Sequence, residues 1–342
     1  MSNKDRVFAT LEGARVNQRP FTAMLSLYGA RLTNCPLRHY YTDPQAYAQG
    51  QTAILETFHP DILFSPFLCA GEGAAFGAKL KFFDNQPPNM LHPVIRSPEE
   101  IPRLSLPDID VHATLVYVRK ALSEIAAAHG SEVAIASTLL SPVDLPLMIM
   151  GIECWMQTVL FDKDGVRRML DLTIPFFDEY ANALFRDGAD VLMIPVSFLS
   201  PVIVTREIIE NLTLPVLRDV FANLQGPIII HHAGGPFLKF LNLCVGLPNV
   251  IGFVVGHQDN LSQARRIVGR GVTLLGGLDG PNLGKTSPEE VEALCRGLLE
   301  DRSTDPHFIL ATSGPDVAFD TPPENISAIR RAVQIFSEGN DA

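Results

Sequence analysis

The amino-acid sequence predicts an α/β protein built as a single (β/α)₈ TIM barrel. Eight short apolar runs alternate with longer amphipathic segments, a pattern typical of βα units around a buried parallel sheet. The chain has 342 residues, a common length for a barrel with insertions. No GxGxxG motif follows the first run, which disfavours a doubly wound dinucleotide-binding sheet. We therefore expect residues 1–342 to form one barrel domain.

Each predicted strand is a short apolar run bounded by turn residues or by a helical segment. The eight predicted strands are 22–27, 61–64, 133–137, 190–195, 227–231, 250–255, 272–275 and 308–311. Helices are predicted at 44–58, 112–128, 163–187, 235–245, 261–269, 288–299 and 323–337. Ser287 precedes Pro288 at one of these helix starts and can cap its free amide groups.

The connection between the second and third strands is longer than the others. Residues 69–132 contain several glycines, the pair Pro87-Pro88 and a plausible helix start at Ser97-Pro98. We interpret this stretch as an elaborated βα connection that covers the mouth of the barrel, not as a separate domain.

Composition excludes several classes of function. Apolar residues make up 46% of the chain and charged residues 19%, which suits a globular protein with a large core. The net charge is −11 and no run of Lys or Arg occurs, so a nucleic-acid partner is not expected. The five cysteines form no CxxC pair, which predicts free thiols. Without an apolar signal segment or a membrane-spanning run, we expect a cytoplasmic protein.

Polar side chains follow the predicted strands, and catalytic groups of a TIM barrel lie at the carboxyl ends of its strands. The candidates at these exits are Tyr28, Glu72, His231, His232, His257, Asp259, Asp279, Ser313 and Asp316. Most of them belong to the second half of the chain. Imidazole can transfer protons or bind a metal, and carboxylates can orient it or hold a substrate.

The pair His231-His232 is the most informative of these signals. Adjacent side chains on a strand point to opposite faces, so we expect one ring to face the lumen and the other the wall or the loop. Gly234 and Gly235 follow and allow close approach of a ligand. The alternative is one histidine packed in the wall and one that caps a helix. Asp279 has the alternative of a turn carboxylate.

Several motifs, taken in order, are similar to those of one superfamily. They are Lys4-Asp5-Arg6-Val7, Phe76-Gly77-Ala78-Lys79, Ser97-Pro98-Glu99-Glu100-Ile101, Asp187-Gly188-Ala189-Asp190, Ile230-His231-His232-Ala233-Gly234, Leu275-Gly276-Gly277-Leu278-Asp279 and Asp320-Thr321-Pro322-Pro323-Glu324-Asn325. Over nearly its whole length the chain resembles the uroporphyrinogen decarboxylase superfamily. The resemblance is strongest to its corrinoid-linked methyltransferase branch, which includes methylcobalamin:coenzyme M methyltransferases.

The resemblance implies a methyltransferase that moves a methyl group between a small substrate and a corrinoid protein. The substrate would be a methyl ether, amine or thioether. On this hypothesis His231 is the central catalytic or ligand residue, and Asp279 and Asp316 position the substrate or protonate a leaving group. The other six candidates would bind the substrate, and the barrel mouth would dock the corrinoid partner.

The sequence departs from the family's pattern at the metal site. The thiol methyltransferases hold zinc with the histidine and cysteine of a His-x-Cys element and a later cysteine. Here His231 matches the histidine, but Ala233 stands at the first cysteine and no cysteine occurs at 314–316. A rebuilt zinc site would draw on His231 with His232, His257, Glu72 or Asp316.

Two other functions stay open at this stage. A decarboxylase-like lyase would act on a tetrapyrrole or another carboxylate, although Phe64-Ser65-Pro66 replaces the family's Phe-Ser-Asp element. A non-catalytic barrel that only binds a ligand would explain the missing metal ligands.

Overall fold

The fold is centred on an eight-stranded parallel sheet that curls into a barrel. The computed structural model describes residues 1–340. We label the barrel strands β1 (Phe21–Thr22), β2 (Ile62–Phe64), β3 (Ala134–Thr138), β4 (Val191–Pro195), β5 (Ile228–His231), β6 (Val250–Val255), β7 (Thr273–Asp279) and β8 (Phe308–Ser313). Strands β2 to β8 pair with their neighbours in chain order, and β1 pairs with β8, whereas β1 and β2 lie next to each other without a strand ladder. The predicted barrel is confirmed.

Helices surround the strands, as the amphipathic segments predict. The α-helices are Asn3–Leu11, Tyr28–Leu32, Leu37–Tyr40, Pro44–Phe58, Cys69–Ala75, Ala113–His129, Leu145–Met150, Ile152–Phe161, Lys163–Arg186, Arg206–Ile208, Leu214–Ala222, Leu238–Cys244, Leu261–Val268, Pro288–Asp301 and Pro323–Asn340. Shorter 3₁₀ or π turns occur at Pro98–Arg103, Ser197–Leu199, Ile209–Thr213 and Leu283–Lys285. Ser287 forms a capping box with Glu290, so the predicted cap is confirmed. No helix among residues 1–340 is long and apolar enough to cross a membrane.

Most predicted strand bounds agree with the structure to within one residue, and the exceptions have local causes. The first strand is only two residues long, because the Met24 amide bonds the Thr312 hydroxyl instead of a strand partner. β7 continues to Asp279 through Gly276 and Gly277, both with positive φ. A Cβ on Gly276 would lie 2.2 Å from the Val255 carbonyl oxygen, so β6 and β7 approach closely only because glycine stands there.

The connection between β2 and β3 builds one side of the barrel mouth. It begins with helix Cys69–Ala75 and continues into an antiparallel hairpin of Leu80–Lys81 and Asn89–Met90. The hairpin was not predicted from sequence, since each of its strands has two residues. The predicted helix start at Ser97 opens a 3₁₀ turn, and Ala113–His129 is the predicted outer helix.

Two apolar clusters stabilise this arrangement. One lies between the strands and the outer helices and includes the fully buried Trp155. The other fills the barrel interior with inward side chains such as Phe64, Val254 and Ile309, and Val7 packs against it. Burial of this size supplies most of the free energy of folding.

The barrel closes where β1 meets β2, through the side chain of Asp61. Its Oδ2 accepts a hydrogen bond from the Phe21 amide at 2.8 Å, and its own amide donates to the Phe21 carbonyl at 2.9 Å. Its Oδ1 accepts from Arg6 at 2.9 Å. Burial raises the pKa of Asp61 to about 7, while Arg6 and the Phe21 amide act in the opposite direction. The buried carboxyl group of Asp61 therefore links β1 to the start of β2, where no strand ladder joins them.

We expect Asp61→Ala to lower the free energy of unfolding by about 3 kcal/mol, since it removes a buried hydrogen bond to the Phe21 amide and the hydrogen-bonded ion pair with Arg6. Urea unfolding monitored by circular dichroism measures the change. The matched control is Asp164→Ala, which removes an exposed carboxylate paired with Arg167 and should cost less than about 1 kcal/mol. An equal decrease in the free energy of unfolding in the two variants would show that the Asp61 side chain does not stabilise the closed barrel.

Candidate active site at the barrel mouth

A cavity of about 220 Å³ lies at the carboxyl ends of the strands. Its wall is mostly apolar and includes Met24, Phe67, Leu140, Met148, Met193 and Pro195. The polar or titratable side chains in the wall belong to Cys69, Thr138 and His231. A pocket with an apolar wall and few polar groups at this position is the usual form of a TIM-barrel active site.

A second cavity of about 350 Å³ adjoins the first and shares Phe67 and Pro315 with it. Its wall includes Asp316 and Asp320, and the hairpin of the β2–β3 connection contributes residues 85–87. The expectation that this connection covers the barrel mouth is therefore confirmed for its hairpin loop. The wall of the first cavity is more apolar than that of the second, and we call the first the inner cavity and the second the outer cavity.

His231 is the last residue of β5, and it lines the first cavity with only 8% of its surface exposed. Its Nδ1 accepts a hydrogen bond from the Ala233 amide at 3.0 Å, which places the proton of the neutral ring on Nε2. Ala233 adopts φ 53°, a left-handed conformation that is uncommon without glycine. Burial lowers the pKa of His231 to about 3, His232 adds to the shift and the Gly314 backbone opposes it. The ring is therefore neutral at pH 7.

His232 lies just beyond the strand and stacks on His231, with ring centroids 4.6 Å apart. β5 ends at His231, so the alternation of side chains along a strand does not apply to His232, and the two rings stack instead of pointing to opposite faces. Its Nδ1 contacts the Gly235 carbonyl at 3.0 Å, and its Nε2 is buried without a partner among the described residues. Burial lowers the pKa of His232. Only His231 of the pair lines the first cavity.

Two buried carboxyl groups lie at the mouth, and each has one unpaired oxygen. Asp316 is 7% exposed, and its Oδ1 accepts from the Leu27 amide at 3.1 Å. Glu72 is 4% exposed, and its Oε1 accepts from the Leu140 amide at 2.9 Å. The second oxygen of each has no hydrogen-bond partner within residues 1–340. Burial raises the pKa of Asp316 to about 7 and that of Glu72 to about 8. Glu72 is therefore mostly protonated at neutral pH, whereas Asp316 populates both its protonated and its ionised form.

Asp279 and His257 contact each other, with 3.2 Å between Oδ2 and Nε2. Asp279 also accepts from the Asn282 side chain at 2.9 Å. Neither residue lines the two cavities. The structure therefore places the predicted Asp279 at the end of β7, in a half-buried pair next to its own turn, and does not bring it into the cavity with His231.

The remaining predicted residues hold loops and strands together. Ser313 accepts from the His257 amide at 2.9 Å and donates to the Leu278 carbonyl at 3.0 Å. Asp259 accepts from the Phe237 amide at 3.0 Å. Tyr28 is fully buried and donates to the Thr321 carbonyl at 2.6 Å, so its hydroxyl lies in the core beside the last helix. These contacts position the mouth, and none of the three lines either cavity.

Sequence reasoning missed several residues of the wall. Cys69 was expected to be an ordinary free thiol, yet it lines the first cavity, and burial together with Glu72 raises its pKa. Thr138 ends β3 and was not singled out among the strand-exit residues. Asp144 accepts hydrogen bonds from Ser141 and Ser197, which ties the β3 loop to the β4 loop. Met148 carried no chemical signal at all.

The donor set does not fit a zinc ion. Within residues 1–340 no group of three or more His, Cys, Asp or Glu side chains that could hold a metal ion occurs. The Nδ1 of His231 is engaged with the Ala233 amide, and the Cys69 thiol is held protonated by burial. Zinc needs a thiolate or several neutral imidazoles in a closed set. We therefore assign no step to zinc.

The fold and the cavities define a TIM-barrel protein with a small pocket at the position of a barrel active site. The chain belongs to the uroporphyrinogen decarboxylase (URO-D) family, whose model matches residues 2–336.

Curated relatives fall into two groups. The uroporphyrinogen decarboxylase of Azoarcus sp. (strain BH72) is 28% identical over 281 residues, covering 78% of this chain and 75% of the relative. The methylcobamide:CoM methyltransferase MtbA of Methanosarcina mazei is 23% identical and covers 76% and 78% of the two chains. Among solved structures, a methyltransferase from Methanosarcina mazei matches with a TM-score of 0.87 at 20% identity, covering 98% of this chain and 99% of that one. This structural likeness establishes the fold.

The raised pKa of Glu72 should make the protein less stable as pH rises. Between its ordinary value of 4.5 and about 8 the folded state holds a proton that the unfolded state has lost, so the free energy of unfolding falls across this window. We expect Glu72→Gln to reduce the loss between about pH 5 and about pH 8 by about 1–3 kcal/mol. Urea unfolding at the two pH values measures it. Glu153→Gln, at an exposed position, is the control and should leave the wild-type loss unchanged.

Proposed function

We propose that this protein transfers a methyl group between a small substrate and a corrinoid protein, with the substrate in the cavity beside His231. The observation that carries the proposal is this cavity of about 220 Å³, with its wall of methionine, phenylalanine and proline side chains next to one neutral imidazole. The MtbA relatives and the barrel shared with a methyltransferase support the reaction class.

The size of the cavity favours a small substrate and an external methyl carrier. Pockets for drug-sized ligands have volumes of roughly 300–1,000 Å³, so this cavity of about 220 Å³ suits a smaller molecule. A corrin ring is too large to enter, and it would have to stay at the open mouth, as it would on a partner protein. The corrinoid supplies cobalt as the other atom that carries the methyl group.

The residues of this chain would orient the substrate and stabilise charge on its heteroatom. When the bond between the methyl carbon and the heteroatom breaks, the heteroatom keeps the electron pair. The Nε2–H of His231 would donate a hydrogen bond to that atom, in competition with the Gly314 backbone. Since the ring is neutral, it acts as a hydrogen-bond donor and not as a strong acid. Asp316, in the outer cavity, would hold the rest of the substrate.

A uroporphyrinogen decarboxylase activity is less well supported, although relatives with that name match the chain. A substrate with several carboxylates needs cationic partners, and none of the residues that line the two cavities is Lys or Arg. Ser65, in the Phe-Ser-Pro stretch, bonds the Ser137 hydroxyl at 2.7 Å within the wall.

The test is methyl exchange with methylcobalamin, followed by its visible spectrum, for thiols, amines and phenols as acceptors. We expect one class of acceptor to be methylated, and His231→Ala to lower kcat/KM by about 100-fold because it removes the hydrogen-bond donor. His39→Ala is the matched control, because the His39 side chain is exposed and lines neither cavity, and it should keep the wild-type rate.

The possible outcomes separate the functions. Equal rates in the two histidine variants would refute the role of His231. Absence of exchange with every acceptor would refute the transfer itself. In that case, carbon dioxide release from uroporphyrinogen would identify a decarboxylase, and ligand binding without turnover would identify a binding protein.

A further inference from the structure

The outer cavity contains a buried carboxyl group with an unpaired oxygen. Asp316 lines this cavity, and its Oδ1 is bonded to the Leu27 amide while its Oδ2 has no partner among residues 1–340. Buried polar atoms in native proteins are nearly always hydrogen-bonded, and an exception at a binding cavity points to a ligand. The ionised carboxylate only accepts hydrogen bonds, so its complementary ligand group is a donor, and a cationic donor would also stabilise the ionised form of Asp316.

The charges around the outer cavity favour a cation. Its wall carries the carboxyl groups of Asp316 and Asp320, and no Lys or Arg is part of it. The guanidinium of Arg31 donates to the backbone carbonyls of Phe319 and Thr321, and Arg31 does not line the cavity. An anionic group here would meet two carboxyl groups without a cation to neutralise it.

The inner cavity selects for the opposite end of the ligand. Met24, Met148 and Met193 line it, and thioether side chains pack readily around a small apolar group. Phe67 and Pro315 belong to both walls, so the two cavities are adjacent, and a ligand with one end in each would contact these two side chains. A ligand that fills the space is apolar at the inner end and a donor at the outer end.

We propose that Asp316 binds the ammonium group of the substrate, whose methylated end lies in the inner cavity beside His231. The substrate class is therefore a short methyl thioether or methyl ether that carries a primary amine at its other end. This inference rests on the proposed function, because it takes the bound molecule to be the substrate of methyl transfer. Its binding can be measured without any corrinoid.

Three probes of equal length differ only in their outer group. They are 2-(methylthio)ethylamine, 2-(methylthio)ethanol and 2-(methylthio)ethanesulfonate, which are cationic, neutral and anionic at pH 7. Isothermal titration calorimetry gives Kd for each. We expect the amine to bind about tenfold more tightly than the alcohol, and the sulfonate to bind more weakly than the alcohol.

Asp316→Asn tests the assignment of the residue. Asparagine keeps an acceptor for the Leu27 amide and removes the negative charge, so we expect it to weaken amine binding about tenfold and to leave alcohol binding within about twofold. Asp164→Asn is the control, because the same change is made at an exposed carboxylate outside both cavities, and it should alter amine binding less than about twofold. Thermal unfolding of both variants confirms that they are folded.

Two results would overturn the inference: tighter binding of the sulfonate than of the amine, or an equal loss for all three probes in Asp316→Asn. Selective amine binding without methyl exchange would uphold this assignment and refute the methyl transfer, so the two proposals fail separately.

Discussion

Closure of the barrel at the β1–β2 edge is the constraint on which the rest of this structure depends. β1 is two residues long and forms no strand ladder with β2. Asp61 adds a side-chain bond to the Phe21 amide and a contact with Arg6. Beyond this edge the chain leaves the ladder at Met24 and reaches the mouth, where the Leu27 amide bonds Asp316. The edge that closes the barrel therefore also positions a wall of the site.

The electrostatic character of the mouth follows from burial. His231 is neutral and Glu72 is mostly protonated at neutral pH, so titratable groups contribute little net charge around the inner cavity. A site of this kind interacts weakly with water and strongly with any charge that develops inside it. Methyl transfer moves charge between a heteroatom and the atom that receives the methyl group, and a preorganised apolar pocket limits the reorganisation that this requires.

The barrel could be predicted from the sequence because the patterns that indicate strands and helices are local. Apolar runs and amphipathic segments are set by burial of neighbouring residues, and they located all eight strands. The site was harder, because it depends on which side chains from distant strands face the same space. The strand-exit rule placed Asp279 at the correct edge, yet its neighbours His257 and Asn282 hold it outside the cavities. Met148 and Cys69 enter the wall through helices of long connections, and no short-range pattern indicates this.

The hairpin of the β2–β3 connection has a consequence for divergence within the family. Residues 85–87 form part of the outer cavity but belong to no barrel strand. Surface connections tolerate insertion and deletion far better than the elements they join. An insertion or deletion in this loop would therefore reshape the wall around the distal group of a ligand and would leave the packed interior intact.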